Sequence, residues 1–353
     1  MTGRRNQSLD LLRGAAISLV VLAHCADATE SVVPGLASFA ANYAQMGVQL
    51  FFIVSGYTMM LTYGDGGNLA AVRSFYIRRL FRIVPLFWIA ILFYLLITRG
   101  EGVTMWAPGG VSARDVVLTV LFLHWSSVTA FNSVVPGGWS IAVEMQFYLL
   151  FPLIIHLFRR PNGAIFCYAL IAAVSVIAQF VADRYLVPQL AAALPNGRSY
   201  LAEGFFYCWL PRQLICFGFG ILLYDFIERK NRPTFGALLL IGASLISGWG
   251  AEVAILSAAS FGILASKLTL PFASLLGRHS YAVYLAHFAV ISAIQALLPL
   301  DLIPLTIVVT AVSLALSYCL VEPLLERPFN RLGHALASRI RRPETAIART
   351  GPA

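Results

Sequence analysis

Arg13 and His24 stand eleven residues apart in an otherwise apolar run, LDLLRGAAISLVVLAHC, residues 9–25. At about 100° and 1.5 Å per residue, that spacing is close to three helical turns, so both side chains share one face roughly 16 Å apart. A titratable group in a spanning helix normally faces a protein interior or a water-filled cavity, because lipid will not solvate it. The plainer alternatives are an arginine that snorkels to the membrane surface and a histidine satisfied by a single hydrogen bond. Glu144, in PGGWSIAVEMQFYLLFP at 136–152, is the acidic residue placed well inside a span, with Trp139 and Ser140 at its mouth. A carboxylate there needs a cationic or protonated partner, and Arg13, His24 and His287 are the candidates.

Three more groups carry possible chemistry. Arg78, Arg79 and Arg82, in SFYIRRLFRIVPLFW at 74–88, fall within about one helical turn and could grip phosphates bidentately; plain membrane anchoring is the alternative. In GVQLFFIVSGYTMM, residues 47–60, Gly47, Ser55 and Gly56 are small groups that let helices approach closely, and Gln49 needs a polar partner. In GRHSYAVYLAHFAV, residues 277–290, Tyr281, Tyr284 and His287 recur every three residues near one helix face, where a structural hydrogen-bond network is the alternative to a site. Glu322 and Glu326 beside Arg327 read as a surface salt-bridge cluster, with Pro323 and Pro328 closing the last span.

The elements that must hold these residues are membrane helices. Of 353 residues, 59% are hydrophobic and 12% charged, where a soluble domain carries about a quarter charged residues. The net charge of +9 is spread in short clusters between apolar runs, which suits orientation in a membrane and not nucleic-acid binding. Five cysteines with no C-x-x-C pair indicate neither a metal site nor a disulfide framework. Residues 1–25 imitate a signal peptide, but Asp10 and Arg13 interrupt the apolar core and His24 stands where a small residue should precede cleavage, so the segment is expected to be retained. There is no glycine-rich phosphate loop and no convincing internal repeat.

An all-α, polytopic bundle is therefore expected, with ten spans at 8–27, 46–64, 82–99, 140–158, 163–182, 211–227, 235–249, 251–266, 277–298 and 303–322. Ten crossings put the basic clusters at Arg4/Arg5, Arg73–Arg82, Arg159/Arg160, Arg229–Arg232, Lys267/Arg278 and Arg327–Arg342 on the cytoplasmic side, with both termini. An eleventh crossing at 115–127 would reverse everything after it, so that run is expected to be re-entrant or interfacial. Residues 1–330 form one expected membrane domain, and 331–353 a basic cytoplasmic tail, partly disordered, on the inner leaflet. The opposite-side loops 28–45, 100–139 and 183–210, rich in Gly, Pro, Ser, Trp and Tyr, are suited to a polar acceptor such as a sugar. Spans 235–249 and 251–266 are expected to face lipid.

Taken together and in order, these stretches resemble the acyltransferase-3 family of integral membrane acyltransferases, which includes bacterial O-antigen, peptidoglycan and exopolysaccharide O-acetyltransferases. The matching strings are LDLLRG followed by His24, G-V-x-x-FF-x-x-SG at 47–56, RR-x-x-RI-x-P at 78–85, WS-x-x-x-E-x-x-x-Y at 139–148, SY-x-x-YL-x-H at 280–287 and E-R-P at 326–328. The resemblance implies that Arg13 and His24 are essential to transfer, that Arg79 and Arg82 are linked to a cytoplasmic acyl-CoA donor, and that the core has ten spans. Many members carry Asp where this chain has Gln49, so no acid can be invoked there. Within these residues there is no room for the extracytoplasmic hydrolase-like domain of some members, so the membrane domain is expected to complete transfer itself or hand over to another protein.

The combined expectation is a multi-pass enzyme of the bacterial inner membrane that binds no permanent cofactor. Acyl-CoA, with acetyl favoured by family frequency, is the co-substrate, its phosphates on Arg78, Arg79 and Arg82. His24 acts as general base, Glu144 orients or charge-balances the imidazole, and Arg13 neutralises phosphate or fixes the inner tunnel. Trp139, Ser140, Ser55, Tyr281, Tyr284 and His287 support the site or the acceptor, which is a glycan or lipid-linked sugar; a macrolide or lipid acceptor and an acyl-histidine relay stay open. Membrane lipids and polysaccharide-assembly proteins are the other expected partners. A transporter or flippase for a polysaccharide precursor would also place polar residues inside spans, and a scaffold subunit of an export complex is a third reading.

Overall fold

A computed structural model describes residues 6–29, 34–63, 69–103, 105–195 and 197–341; Arg4, Arg5 and the end of the basic tail lie outside the described residues. Those residues form helices joined by turns, with no strand among them. In chain order the helices are α1 (Gln7–Asp27), α2 (Pro34–Asn42), α3 (Gly47–Tyr63), α4 (Leu69–Ile97), α5 (Ala113–Val120), α6 (Gly138–Phe158), α7 (Gly163–Val181) and α8 (Val187–Ala193). They continue as α9 (Tyr200–Tyr207), α10 (Leu210–Ile227), α11 (Thr234–Ile246), α12 (Glu252–Ala265), α13 (Pro271–Arg278), α14 (Ser280–Leu297), α15 (Leu302–Leu316) and α16 (Arg327–Arg341).

Eight helical stretches are long and apolar enough to cross a membrane, and they contain α1, α3, α4, α6, α7, α10, α14 and α15. The chain is a polytopic membrane helix bundle. The remaining two expected spans are α11 and α12, of 13 and 14 residues. At about 1.5 Å per residue each reaches only about 20 Å, short of a hydrocarbon core of about 30 Å. They form a hairpin, so they leave the sense of the later helices unchanged however deeply they insert. Leu238, Leu245, Ile246 and Ile255 are exposed along them, as lipid-facing residues would be. Below, the end of the bundle where α1 begins is termed the basic end and the opposite one the loop end.

Residues 115–127 do not make a further crossing. Ser112 and Asp115 cap α5 reciprocally, and the helix runs for 8 residues, far too few to span. Its Val117 and the following Leu121 and Leu123 stay exposed. The part that enters the protein is the next segment, 130–138, irregular in backbone and buried throughout. Non-helical backbone is tolerated at that depth only because protein surrounds it. His124 pins it: its Nε2–H donates to the Gly138 carbonyl at 3.0 Å, and its ring stacks on Phe87. Burial pushes the His124 pKa down to about 4, so the imidazole is neutral at pH 7.

Two helix pairs approach backbone to backbone. A Cβ on Gly277 would lie 1.7 Å from the Asp10 carbonyl oxygen, and one on Gly14 1.9 Å from that of Ala273, so α13 lies flush along the start of α1. Gly56 meets the Phe217 carbonyl in the same way, at 2.5 Å, and locks α3 against α10. The last span departs from expectation. Pro323 does not close it, because residues Ser317–Glu326 adopt ten residues of π-helix and lead directly into α16. A π turn already abandons the α-helical hydrogen-bond register, so a proline within it forfeits little. Helix α16 packs on α4, with Gly333 against Phe81, which makes residues 331–341 an ordered part of the bundle.

Candidate active site

Between α1, α3, α4, α6 and α14 lies a cavity with about 720 Å³ of empty space. Its walls include Arg13, Ser55, Thr58, Arg79, Arg82, Ser140, Glu144, Tyr148, Tyr281 and Tyr284. Toward the basic end it meets a wider vestibule of about 1300 Å³ between α1, α13, the π segment and α16, lined by Arg278, Glu322, Arg327, Asn330 and His334. Arg13, Thr58, Arg82, Ser280 and Tyr281 belong to both walls, so the two spaces adjoin across these side chains.

Glu144 sits on the second turn of α6, facing α3 and α4. Ser55 Oγ donates to its Oε1 at 2.8 Å, and the Tyr148 hydroxyl donates to the same oxygen. The cation within Coulombic reach is Arg79, whose guanidinium stacks over the Tyr148 ring at 5.2 Å and donates to Thr62 Oγ1 at 2.8 Å. Of the expected partners, Arg13 lines the same cavity, whereas His24 and His287 make no hydrogen bond with Glu144 and are reached from the cavity wall through the Tyr284 ring.

The three arginines of α4 also separate. Arg79 is buried at 8% exposure and lines the cavity beside Glu144; Arg82, exposed, lines both the cavity and the vestibule. Arg78, 100° around the helix from Arg79, bonds Ser74 Oγ at 2.5 Å and lines neither space. Of the three arginines expected to grip an anion, Arg82 is the one that, with Arg13, lines both spaces. Arg13 is aimed by two bonds, Nη1 to Asp10 at 3.3 Å and Nη2 to Thr58 Oγ1 at 2.9 Å.

At the far wall, Gly137 opens α6 with φ +76°, a left-handed turn that glycine adopts without strain. Its carbonyl accepts from Tyr284 Oη at 2.9 Å and Ser140 Oγ at 3.0 Å, and the two hydroxyls lie 2.8 Å apart. Tyr281 Oη donates to the Ile83 carbonyl at 2.9 Å, tying α14 to α4. Trp139 faces the other way, edge-on to Phe52 and Tyr207.

His24 lies outside the cavity wall but is linked to it through rings. Tyr284 and His287 have centroids 5.7 Å apart, and His287 and His24 5.3 Å apart. The carboxylate beside His24 is Asp27, one turn on, with Oδ2 3.3 Å from Nδ1. A carboxylate only accepts, so Nδ1 carries the hydrogen and Nε2 of the neutral ring is the basic nitrogen.

A family model described as an acyltransferase domain matches residues 6–322. The chain belongs to the acyltransferase-3 family. Acyltransferase MdmB of Streptomyces mycarofaciens is 30% identical over 273 residues, 69% of this chain and 67% of that protein. Nodulation protein 10 of Rhizobium leguminosarum bv. viciae is 26% identical over 335 residues, 84% of this chain and 85% of that protein. No solved structure matches the chain. This acyltransferase-3 chain is thus a membrane-embedded enzyme that transfers acyl groups, and its cavity is the place to look for the transfer.

The sequence reading did not single out Thr58, Thr62 or Asp27, and it met Tyr148 only as the last residue of the WS-x-x-x-E-x-x-x-Y string. Ser55, Thr58 and Thr62 recur at spacings of three and four on α3, a polar stripe on an apolar helix that could have marked the face toward Arg13 and Arg79. Asp225, at the end of α10, is as buried as any site residue but is held by Tyr168, Asn231 and Arg229 away from the cavity.

Proposed function

We propose that the protein is an O-acyltransferase of the bacterial inner membrane that moves an acyl group, acetyl in the first instance, from cytoplasmic acyl-CoA to a hydroxyl of a cell-surface or lipid-linked glycan. The observation that carries this reading is that vestibule and cavity adjoin at Arg13 and Arg82, which line both. A donor entering at the basic end meets guanidiniums first, which suits the phosphates of CoA, and a narrower, more apolar space next, which suits a pantetheine arm and thioester. Basic clusters gathered at that end support its facing the cytoplasm.

His24 is the general base. With Nδ1–H held toward Asp27, Nε2 takes the proton of the acceptor hydroxyl as its oxygen attacks the thioester carbon; the C–O bond forms, the C–S bond breaks, and the proton passes to the CoA thiolate. Tyr284 lines the cavity and lies against the His287 ring, which in turn lies against His24, while Ser55 and Tyr148 hydrogen-bond the Glu144 carboxylate. The aromatic loops at the other end, where Trp139 sits, suit a sugar acceptor.

Membranes carrying the protein should incorporate radiolabel from acetyl-CoA into glycan or lipid with stoichiometric release of CoA. His24→Ala should insert normally and lose that incorporation by about 10²-fold or more. Wild-type incorporation by His24→Ala would sink the assignment of the base; solute movement with no CoA release would favour a transporter.

A further inference from the structure

Next to His24 a fully buried nitrogen is left without a partner. His287 on α14 is 0% exposed, and its Nδ1 lies 2.6 Å from the carbonyl oxygen of Tyr284. A carbonyl can only accept, so Nδ1 carries the hydrogen and Nε2 of the neutral ring is a lone-pair nitrogen. Among the described residues Nε2 has no hydrogen-bond partner. Burying an unmet acceptor in an apolar bundle is unfavourable, and a phenylalanine would fill the same space without that cost. A role that arises during turnover accounts for its presence.

The His24 ring stands 5.3 Å from the His287 ring, tilted by 33°, and Phe288 lies 4.3 Å from both. We propose that His287 is a positioning residue for acyl transfer, its Nε2 accepting the hydrogen bond of the His24 imidazolium that forms when His24 takes the acceptor's proton. This rests on the reading of His24 as base. When the acceptor O–H bond breaks, a new N–H appears on His24, whose ring lies against His287 and Phe288. His287 Nε2 supplies the missing acceptor and Phe288 an aromatic face for the positive charge. When the proton passes on to the thiolate, both rings return to their neutral forms and no net proton is retained.

The test uses the full chain in membrane vesicles, with radiolabelled acetyl-CoA as donor and the vesicles' own lipids and glycans as acceptor. His287→Leu should lower kcat by about ten- to a hundredfold, the range for a hydrogen bond to a charged group, with KM for acetyl-CoA within about twofold. His287→Gln, which can offer an oxygen as acceptor, should recover about tenfold of that loss. Both purified variants should unfold at the wild-type midpoint. Full turnover in His287→Leu, equal impairment of the Leu and Gln variants, or a loss explained by a raised KM or a lowered midpoint would each overturn the proposal. The His24→Ala variant separates the two readings. If it is inactive while His287→Leu is fully active, only the role of His287 fails; if it is active, the base itself has been misassigned.

Discussion

Arg78, Arg79 and Arg82 illustrate how one turn of sequence becomes three different environments. Their guanidiniums are chemically identical, yet one is buried and bonds Thr62, one lines both the cavity and the vestibule, and one bonds the buried Ser74 hydroxyl. The expected kinetic signatures differ accordingly. Arg82→Ala should raise KM for acyl-CoA by about ten- to a hundredfold through loss of a charge-assisted phosphate contact, whereas Arg78→Ala should change it by less than about threefold. Initial rates at varied acetyl-CoA check both; equal effects would mean that the arginines act as one cluster. Glu144 carries a similar lesson. A carboxylate on the second turn of α6 reaches α3 and α4, and its distance from His24 is a matter of which helices α6 touches.

Helix α1 carries Asp10 and Arg13 on the stretch that lies flush against α13. The approach depends on Gly14 and Gly277, whose missing Cβ atoms would otherwise overlap carbonyl oxygens of the opposite helix. Replacing Gly277 by Val should force the pair apart at a cost of about 1–3 kcal/mol, as overpacking does, and loosen the Asp10–Arg13–Thr58 line at the cavity entrance. The expected result is a lower unfolding midpoint in detergent together with a raised KM for acyl-CoA. A variant with unchanged stability would show that the helices can separate freely. The π segment before α16 acts at the same scale. It carries Glu322, which bonds Arg327 at 3.0 Å and stands 3.5 Å from His279, so a local change of helical register shapes the vestibule wall.

For the whole molecule, the sense of the bundle decides which substrate meets which end. The short α5 and the buried loop 130–138 leave the chain on the side from which it entered, so positions 109 and 126 should share one compartment and position 160 the other. In a Cys319→Ser background, Gly109→Cys and Ser126→Cys should react with a membrane-impermeant thiol reagent on intact cells, and Arg160→Cys should react only after lysis. Labelling of positions 126 and 160 from the same side would reverse the second half of the bundle and the proposed donor side with it.

Length and hydropathy alone determined the helical membrane architecture, because a chain in lipid must satisfy its backbone within each segment and so announces every long crossing as an apolar run. The order of the motifs determined the family, and the eleven-residue spacing put Arg13 and His24 on one face of α1. Partnerships were another matter. That Glu144 answers to Arg79, Ser55 and Tyr148, that Asp27 and His287 flank His24, and that Arg78 turns away were decided only by how helices distant in sequence pack. A single sequence fixes the face a residue occupies on its own helix, since that follows from about 100° per residue. It leaves open the rotation and depth of the neighbouring helix, which come from contacts such as Gly277 on Asp10 and Gly56 on Phe217, and it could not reveal that Pro323 sits inside a continuing helix.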